Sequence, residues 1–150
     1  MKALLQRVTA ASVSVAGEVV GRIGKGLVIL VGVADGDIEK EAQSLAQKAA
    51  SLRIFSDEDG KFNLSALDIK GDLLIVSQFT LLADTRKGSR PSFTEAALPA
   101  RAEALFQEFV DQSRATGLRV ETGRFQQYMQ LEISNDGPVT ILLDSRDKPR

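Results

Sequence analysis

Four apolar residues, Leu73-Leu74-Ile75-Val76, run into Ser77-Gln78-Phe79-Thr80, where hydroxyl and carboxamide groups interrupt the pattern. Burying such a group unpaired costs roughly 1–3 kcal/mol, so polar side chains at a strand end are bonded internally, presented in a pocket, or in solvent. The segment alone fits a strand that has reached solvent as well as one that presents a site. A second cluster, Asn135-Asp136-Gly137-Pro138, has the composition of a hairpin turn. It also holds a Gly–Pro bond, which in the cis form would set backbone carbonyls in an unusual, rigid arrangement. Only about 5–6% of such bonds are cis in folded proteins, and spacing does not reveal the isomer.

A basic loop, Asp84-Thr85-Arg86-Lys87-Gly88-Ser89-Arg90-Pro91, follows the first cluster. Arg86, Lys87 and Arg90, with Gly and Ser amides between them, suit one or two phosphates of a flexible RNA end, and suit a solvated surface loop equally. Two other segments are turns rather than sites. Gly21-Arg22-Ile23-Gly24-Lys25-Gly26 opens no helix and lacks the phosphate-loop pattern. Asp57-Glu58-Asp59-Gly60 lacks the twelve-residue calcium ligand pattern.

The chain contains no histidine and no cysteine. This removes serine–histidine–acid triads, thiolate nucleophiles, disulfides, thiolate zinc sites and iron–sulfur clusters. An enzyme of this composition works with carboxylates, lysine, hydroxyls, backbone amides or the substrate's own groups. No metal and no cofactor are expected.

The elements that must position these clusters follow from periodicity. Lys2 to Val15, the turn Ala16-Gly17-Glu18 and Val19-Val20 read as a hairpin. Gly26 to Val33 is continuously apolar, as in a central strand covered on both faces, and Asp72 to Leu82 reads as a second such strand. Asp37 is expected to cap a helix whose apolar positions are Ile38, Ala42, Leu45, Ala49 and Leu52. Pro99 starts a second helix with a stripe of Ala102, Leu105, Phe106, Phe109 and Val110, ending near Gly117. Two strands, Gln127 to Ser134 and Val139 to Leu143, close the chain, joined by the turn Asn135 to Pro138. The expected fold is one compact α/β (α+β) domain over residues 1–150, with a mixed, mostly antiparallel or barrel-like sheet and two main helices. Residues 144–150 form a polar tail.

At 150 residues, 43% hydrophobic and 26% charged, the chain suits one ordinary soluble domain. Its formal net charge is −1, so no strongly basic surface holds a nucleic-acid duplex, and no DNA partner is expected. No apolar run approaches the roughly 20 residues that span a bilayer, and the first residues turn polar too soon for a secretory signal. A cytoplasmic protein with no membrane contact is expected.

Ser77-Gln78-Phe79-Thr80-Leu81 and Asn135-Asp136-Gly137-Pro138-Val139-Thr140 resemble the two signature segments of the D-aminoacyl-tRNA deacylase family. The similarity extends through Gln6-Arg7-Val8, Arg53-Ile54-Phe55-Ser56-Asp57, Arg90-Pro91-Ser92-Phe93, Arg101-Ala102-Glu103 and Thr122-Gly123-Arg124-Phe125, covering nearly the whole chain in order. The resemblance implies a homodimer whose active sites lie at the subunit interface, each completed by the Gly–cis-Pro unit of the partner, here Gly137-Pro138. It implies hydrolysis of the ester of D-aminoacyl-tRNA at its terminal adenosine, with L side chains excluded and glycine admitted. The backbone around Gln78 and Phe79 would supply oxyanion contacts, and Ser77 and Gln78 would orient the site while the RNA assists. Thr80 has been cast in the family as a nucleophile. A positioning role is expected here, because nothing nearby in sequence activates its hydroxyl. Arg7 resembles the residue that holds the Gly–Pro unit, and Ala102 and Met129 resemble pocket-lining positions. Two other readings remain: a non-catalytic tRNA-binding module, and an L-aminoacyl-tRNA deacylase, for which Pro138 would be trans.

Overall fold

The computed structural model describes residues 1–149. The chain runs β1 (Lys2–Val15), β2 (Glu18–Ile23), β3 (Gly26–Gly32), α1 (Glu39–Ser51), β4 (Phe55–Ser56), β5 (Phe62–Leu64) and α2 (Ala66–Ile69). It continues through β6 (Asp72–Ser77), a 3₁₀ turn (Phe79–Leu82), α3 (Pro99–Ala115), β7 (Val120–Thr122) and β8 (Met129–Asp144). The main sheet is ordered β2-β1-β3-β6-β7, and β8 lies along the other edge of β1. Pairing is antiparallel around β1 and parallel from β3 through β6 to β7. The sheet curls until β2 approaches β7: a Cβ at Gly21 would lie 2.9 Å from the Thr122 carbonyl oxygen. The result is a mixed α+β fold with a nearly closed, barrel-like sheet.

The continuous apolar runs of β3 and β6 are explained by two cores. Leu27, Ile29, Val31, Leu73 and Ile75 face α1 and α3, whereas Val28, Leu74 and Val76 face the barrel interior. Strand β1 serves both cores in succession. Ala3 and Leu5 point to the helices, while Val8, Ala11 and Val13 point inward. A register shift between Val8 and Ala10 reverses the alternation, since one extra residue moves every later side chain to the opposite face. The β1–β2 hairpin turns through Ala16 (φ 51°) and Gly17 (φ 82°), the pair of positive φ angles that matches strand twist.

Helix α1 begins without the expected Asp37 cap. Its N-cap is Ile38, whose amide donates to the Glu41 carboxylate at 2.7 Å. The Asp37 carboxylate instead accepts from the Ala34 amide at 2.7 Å and holds the Met1 ammonium group at 2.8 Å. That ammonium also donates to Ser145 Oγ at 2.7 Å, and Met1 is buried. Removing one partner of a buried ion pair leaves the other charged and unpaired, typically costing about 3 kcal/mol. Asp37→Ala is therefore expected to lower Tm by roughly 10 °C for a domain of this size. An unchanged Tm in a calorimetric scan would show that the pair contributes nothing.

A four-residue helix, α2, escapes the periodicity argument. A reciprocal cap forms it: Ser65 Oγ accepts from the Asp68 amide and the Asp68 carboxylate accepts from the Ser65 amide. No helix among the described residues is long and apolar enough to cross a membrane.

Candidate active site

Strand β6 ends at Ser77, not at Leu82 as its apolar residues suggest. The Gln78 amide makes a last ladder bond to the Val31 carbonyl at 2.8 Å, and its backbone (φ −144°, ψ 83°) turns the chain into the 3₁₀ segment. That turn folds back on the end of β3. Gly32 permits it, because a Cβ there would lie 2.5 Å from Leu82 Cδ2 and 2.9 Å from the Gln78 carbonyl oxygen. The first residues of a helical turn have no intrahelical acceptor. The Phe79 and Thr80 N–H groups accordingly find no backbone acceptor among the described residues.

The residues that carry these amides line a cavity of about 880 Å³. Ser77, Gln78, Phe79 and Thr80 form one wall, Ala102 at the start of α3 another, and Phe125, Met129 and Leu131 a third. Its few polar groups on a largely apolar lining are the usual composition of a small-ligand site. The cavity thus gathers six of the expected site residues. The Gln78 side-chain amide donates to the Thr80 hydroxyl, and among the described residues no histidine, cysteine, lysine or carboxylate lines the cavity. Nothing in it would take the Thr80 proton. Met129 is laid across Gly123, where a Cβ would come within 2.6 Å of its sulfur.

Arg7, Gly137 and Pro138 do not line this cavity. The expected hairpin at residues 135–138 is absent: β8 is one strand, pairing with β1 both before and after this segment. Gln6 pairs with Thr140 and Val8 with Asn135, so residues 136–139 bulge out opposite Arg7 alone. Turn residues serve a bulge as readily as a hairpin, and only the shared partner strand distinguishes the two. The Asn135 amide closes the neck of the bulge, donating to the Arg7 carbonyl at 2.9 Å and the Val139 carbonyl at 3.0 Å. Arg7, buried beneath, donates from Nε to the Asp136 carbonyl at 3.3 Å and from Nη1 to the Ile54 carbonyl at 2.9 Å. Its guanidinium also pairs with the Asp136 carboxylate at 3.2 Å and lies 5.5 Å from the Phe62 ring centre. Gly137 and Pro138 are exposed at the tip, and the bond between them is cis.

The basic loop is pinched at its base by reciprocal backbone bonds between Asp84 and Ser92, at 2.8 and 2.9 Å. Arg86 folds onto Asp84 through two guanidinium bonds, and this holds the Asp84 carboxyl down at about 2. Lys87 and Arg90 are exposed, with no carboxylate in ion-pair range among the described residues. The polar tail repeats the clasp. Arg146 bonds Asp144 through Nε and Nη2, and its guanidinium lowers the Asp144 pKa.

The sequence reading missed three aromatic residues at the cavity, Phe93, Phe125 and Tyr128. Phe93 meets Phe79 edge-on at 5.0 Å, and Tyr128 lines the cavity while 95% exposed. A usable signal was present, since Tyr128 is the single tyrosine of the chain and sits between glutamine and methionine just before β8.

Comparison with known proteins places the whole chain among close relatives. A D-aminoacyl-tRNA deacylase from Dehalococcoides mccartyi is 60% identical over 148 residues, spanning 99% of this chain and 97% of its own. One from Thermotoga petrophila is 54% identical over 145 residues, 97% of each chain. Among solved structures, the c-Myc DNA unwinding element binding protein superposes with a TM-score of 0.92 at 43% identity, covering 98% of this chain and 100% of that one. A structure described as a probable eukaryotic D-amino acid tRNA deacylase has a TM-score of 0.83 at 19% identity, a likeness of fold. It covers 95% of this chain and 97% of its own. The sequence model of D-Tyr-tRNA(Tyr) deacylase matches residues 4–144 of this chain, which therefore belongs to that family.

Proposed function

We propose that this protein hydrolyses the ester that joins a D-amino acid to the terminal adenosine of tRNA, releasing free tRNA and the D-amino acid, and that it also accepts glycyl-tRNA. The observation that carries the reading is the cavity wall at Ser77–Thr80, which brings a carboxamide and two hydroxyls together with two residues, Phe79 and Thr80, whose backbone N–H groups have no acceptor among the described residues. An aminoacyl ester is already activated, so positioning it and stabilising its oxyanion is most of the task. Water adds to the carbonyl carbon, the tetrahedral oxyanion faces the Phe79 and Thr80 amides, and the acyl C–O bond breaks as the ribose oxygen takes a proton. The neighbouring ribose hydroxyl of the substrate assists the proton transfer. Ser77 and Gln78 orient the ester, Gln78 holds the Thr80 hydroxyl in place, and Ala102 and Met129 shape the amino-acid end.

Chiral choice in this reading belongs to a homodimer. Gly137–Pro138 stands exposed on a bulge fixed by Arg7 and lies outside its own cavity. Reaching into the cavity of the second subunit, its carbonyls meet the substrate amino group and leave no room for an L side chain. Lys87 and Arg90, with Arg86, hold phosphates of the RNA end.

The test is release of tyrosine from matched D-Tyr-tRNA and L-Tyr-tRNA with chelator present. Rapid release from the D substrate alone is expected, and Thr80→Ala is expected to keep the rate within about ten-fold, as for a positioning residue. Equal release from both substrates would reject the chiral selectivity, and absent release from both would reject the proposal and leave a tRNA-binding module.

A further inference from the structure

We infer that Tyr128 and Arg124 form a second nucleotide subsite at the cavity rim, which takes the nucleotide preceding the terminal adenosine. This rests on the deacylase reading above. Tyr128 exposes 95% of its surface while still lining the cavity, so its ring stands at the rim uncovered by its own chain. The ring is nevertheless set on a fixed base. Gln126 adopts a left-handed backbone (φ 61°), and the Gln127 amide donates to the Arg124 carbonyl at 3.2 Å, closing a turn. The next residue, Met129, is anchored by the contact of its sulfur with the Arg124 amide at 3.3 Å.

Arg124, on the same turn, is exposed, and its guanidinium touches only the Gly123 carbonyl at 3.4 Å among the described residues. An open aromatic face that follows an unneutralised cation on the same turn suits a single-stranded ribonucleotide: the base stacks on the ring and the phosphodiester meets the guanidinium. Gln126 and Gln127 line the cavity next to the ring and offer amide groups to the ribose hydroxyls. A stack of this kind tolerates any base, so the subsite adds affinity for an RNA end without reading its sequence.

The experiment compares two D-tyrosyl esters, of adenosine and of the trinucleotide cytidyl-cytidyl-adenosine, by kcat/KM. The wild-type protein is expected to favour the trinucleotide through a lower KM. In Tyr128→Ala that preference is expected to fall about ten-fold, and Tyr128→Phe is expected to restore it. In Arg124→Ala the KM for the trinucleotide is expected to depend less on salt. An unchanged preference in Tyr128→Ala overturns the subsite. Equal losses on both esters also overturn it, placing the ring in the amino-acid pocket or in a subunit contact. Failure of the wild-type protein to hydrolyse either ester or D-Tyr-tRNA would remove the deacylase reading and the subsite with it.

Discussion

A Gly137→Ala protein is expected to fold and yet to release D-tyrosine from D-Tyr-tRNA about 100-fold more slowly than wild type, the loss associated with misplacing a positioning group by an ångström. Gly137 has φ +119°, a backbone that L side chains rarely adopt, so alanine is strained even in open space. The space is not open. An added Cβ would lie 2.9 Å from Val139 Cγ2 and 3.0 Å from Arg7 Nη2. Val139 belongs to the buried core and cannot retreat, and Arg7 is held by Ile54 and Asp136, so the bulge itself must shift. The stability cost of such local strain is about 1–3 kcal/mol, which leaves most domains folded. Circular dichroism should therefore match wild type while the rate collapses. A rate within a few-fold of wild type would remove the bulge from the chemistry.

Gly26→Ala is expected to have the largest effect on stability, about 4 kcal/mol or more, at the extreme of single substitutions. Gly26 opens β3 opposite Asp72 of β6, where a Cβ would lie 1.9 Å from the Asp72 carbonyl oxygen and 2.7 Å from its carbonyl carbon and amide nitrogen. These are backbone atoms, so no rotamer relieves the overlap and the two central strands must part. The neighbours Leu27 and Leu73 are fully buried, so separation opens the core between sheet and helices. Gly24→Ala is the matched control. Its nearest contact is 3.8 Å, from the flexible end of Asp72, and little change is expected. Urea melts of the two variants would decide, and similar midpoints would refute the argument.

Much of the fold was legible because local chemistry and tertiary context agreed. The continuous apolar runs of β3 and β6 announced burial on both faces, and Pro99 and Gly117 bracketed α3. Ser77–Thr80 stood out as polar groups at the end of an apolar strand and gained a role through the resemblance, which alone supplied Ala102 and Met129; the structure gathers them in one cavity. The failures share a cause. Asn135–Pro138 has the same local propensity in a hairpin and in a bulge, and only pairing to β1 at residues more than 120 positions away separates the two. Asp37 has the side chain of a helix cap, yet the Met1 ammonium group competes for it across the fold. Phe79, Leu81 and Leu82 suit a strand, but the turn against Gly32 claims them. Tyr128 stood out as the single tyrosine, but that signal did not say it was exposed at a rim, because exposure belongs to the folded surface and not to the residue.

The double edge of β1 also orders events during synthesis. Residues 2–15 are made before the strands that pair with them, and β2 and β3 follow to cover one side, but the other side pairs only with residues 129–144. At about 5–20 residues per second, that edge waits on the order of ten seconds with its N–H and C=O groups unpaired. Pairing so distant in sequence also slows the search once the chain is free. The nascent domain thus carries an open strand edge, the feature that invites intermolecular pairing, until residues 129–144 have been made.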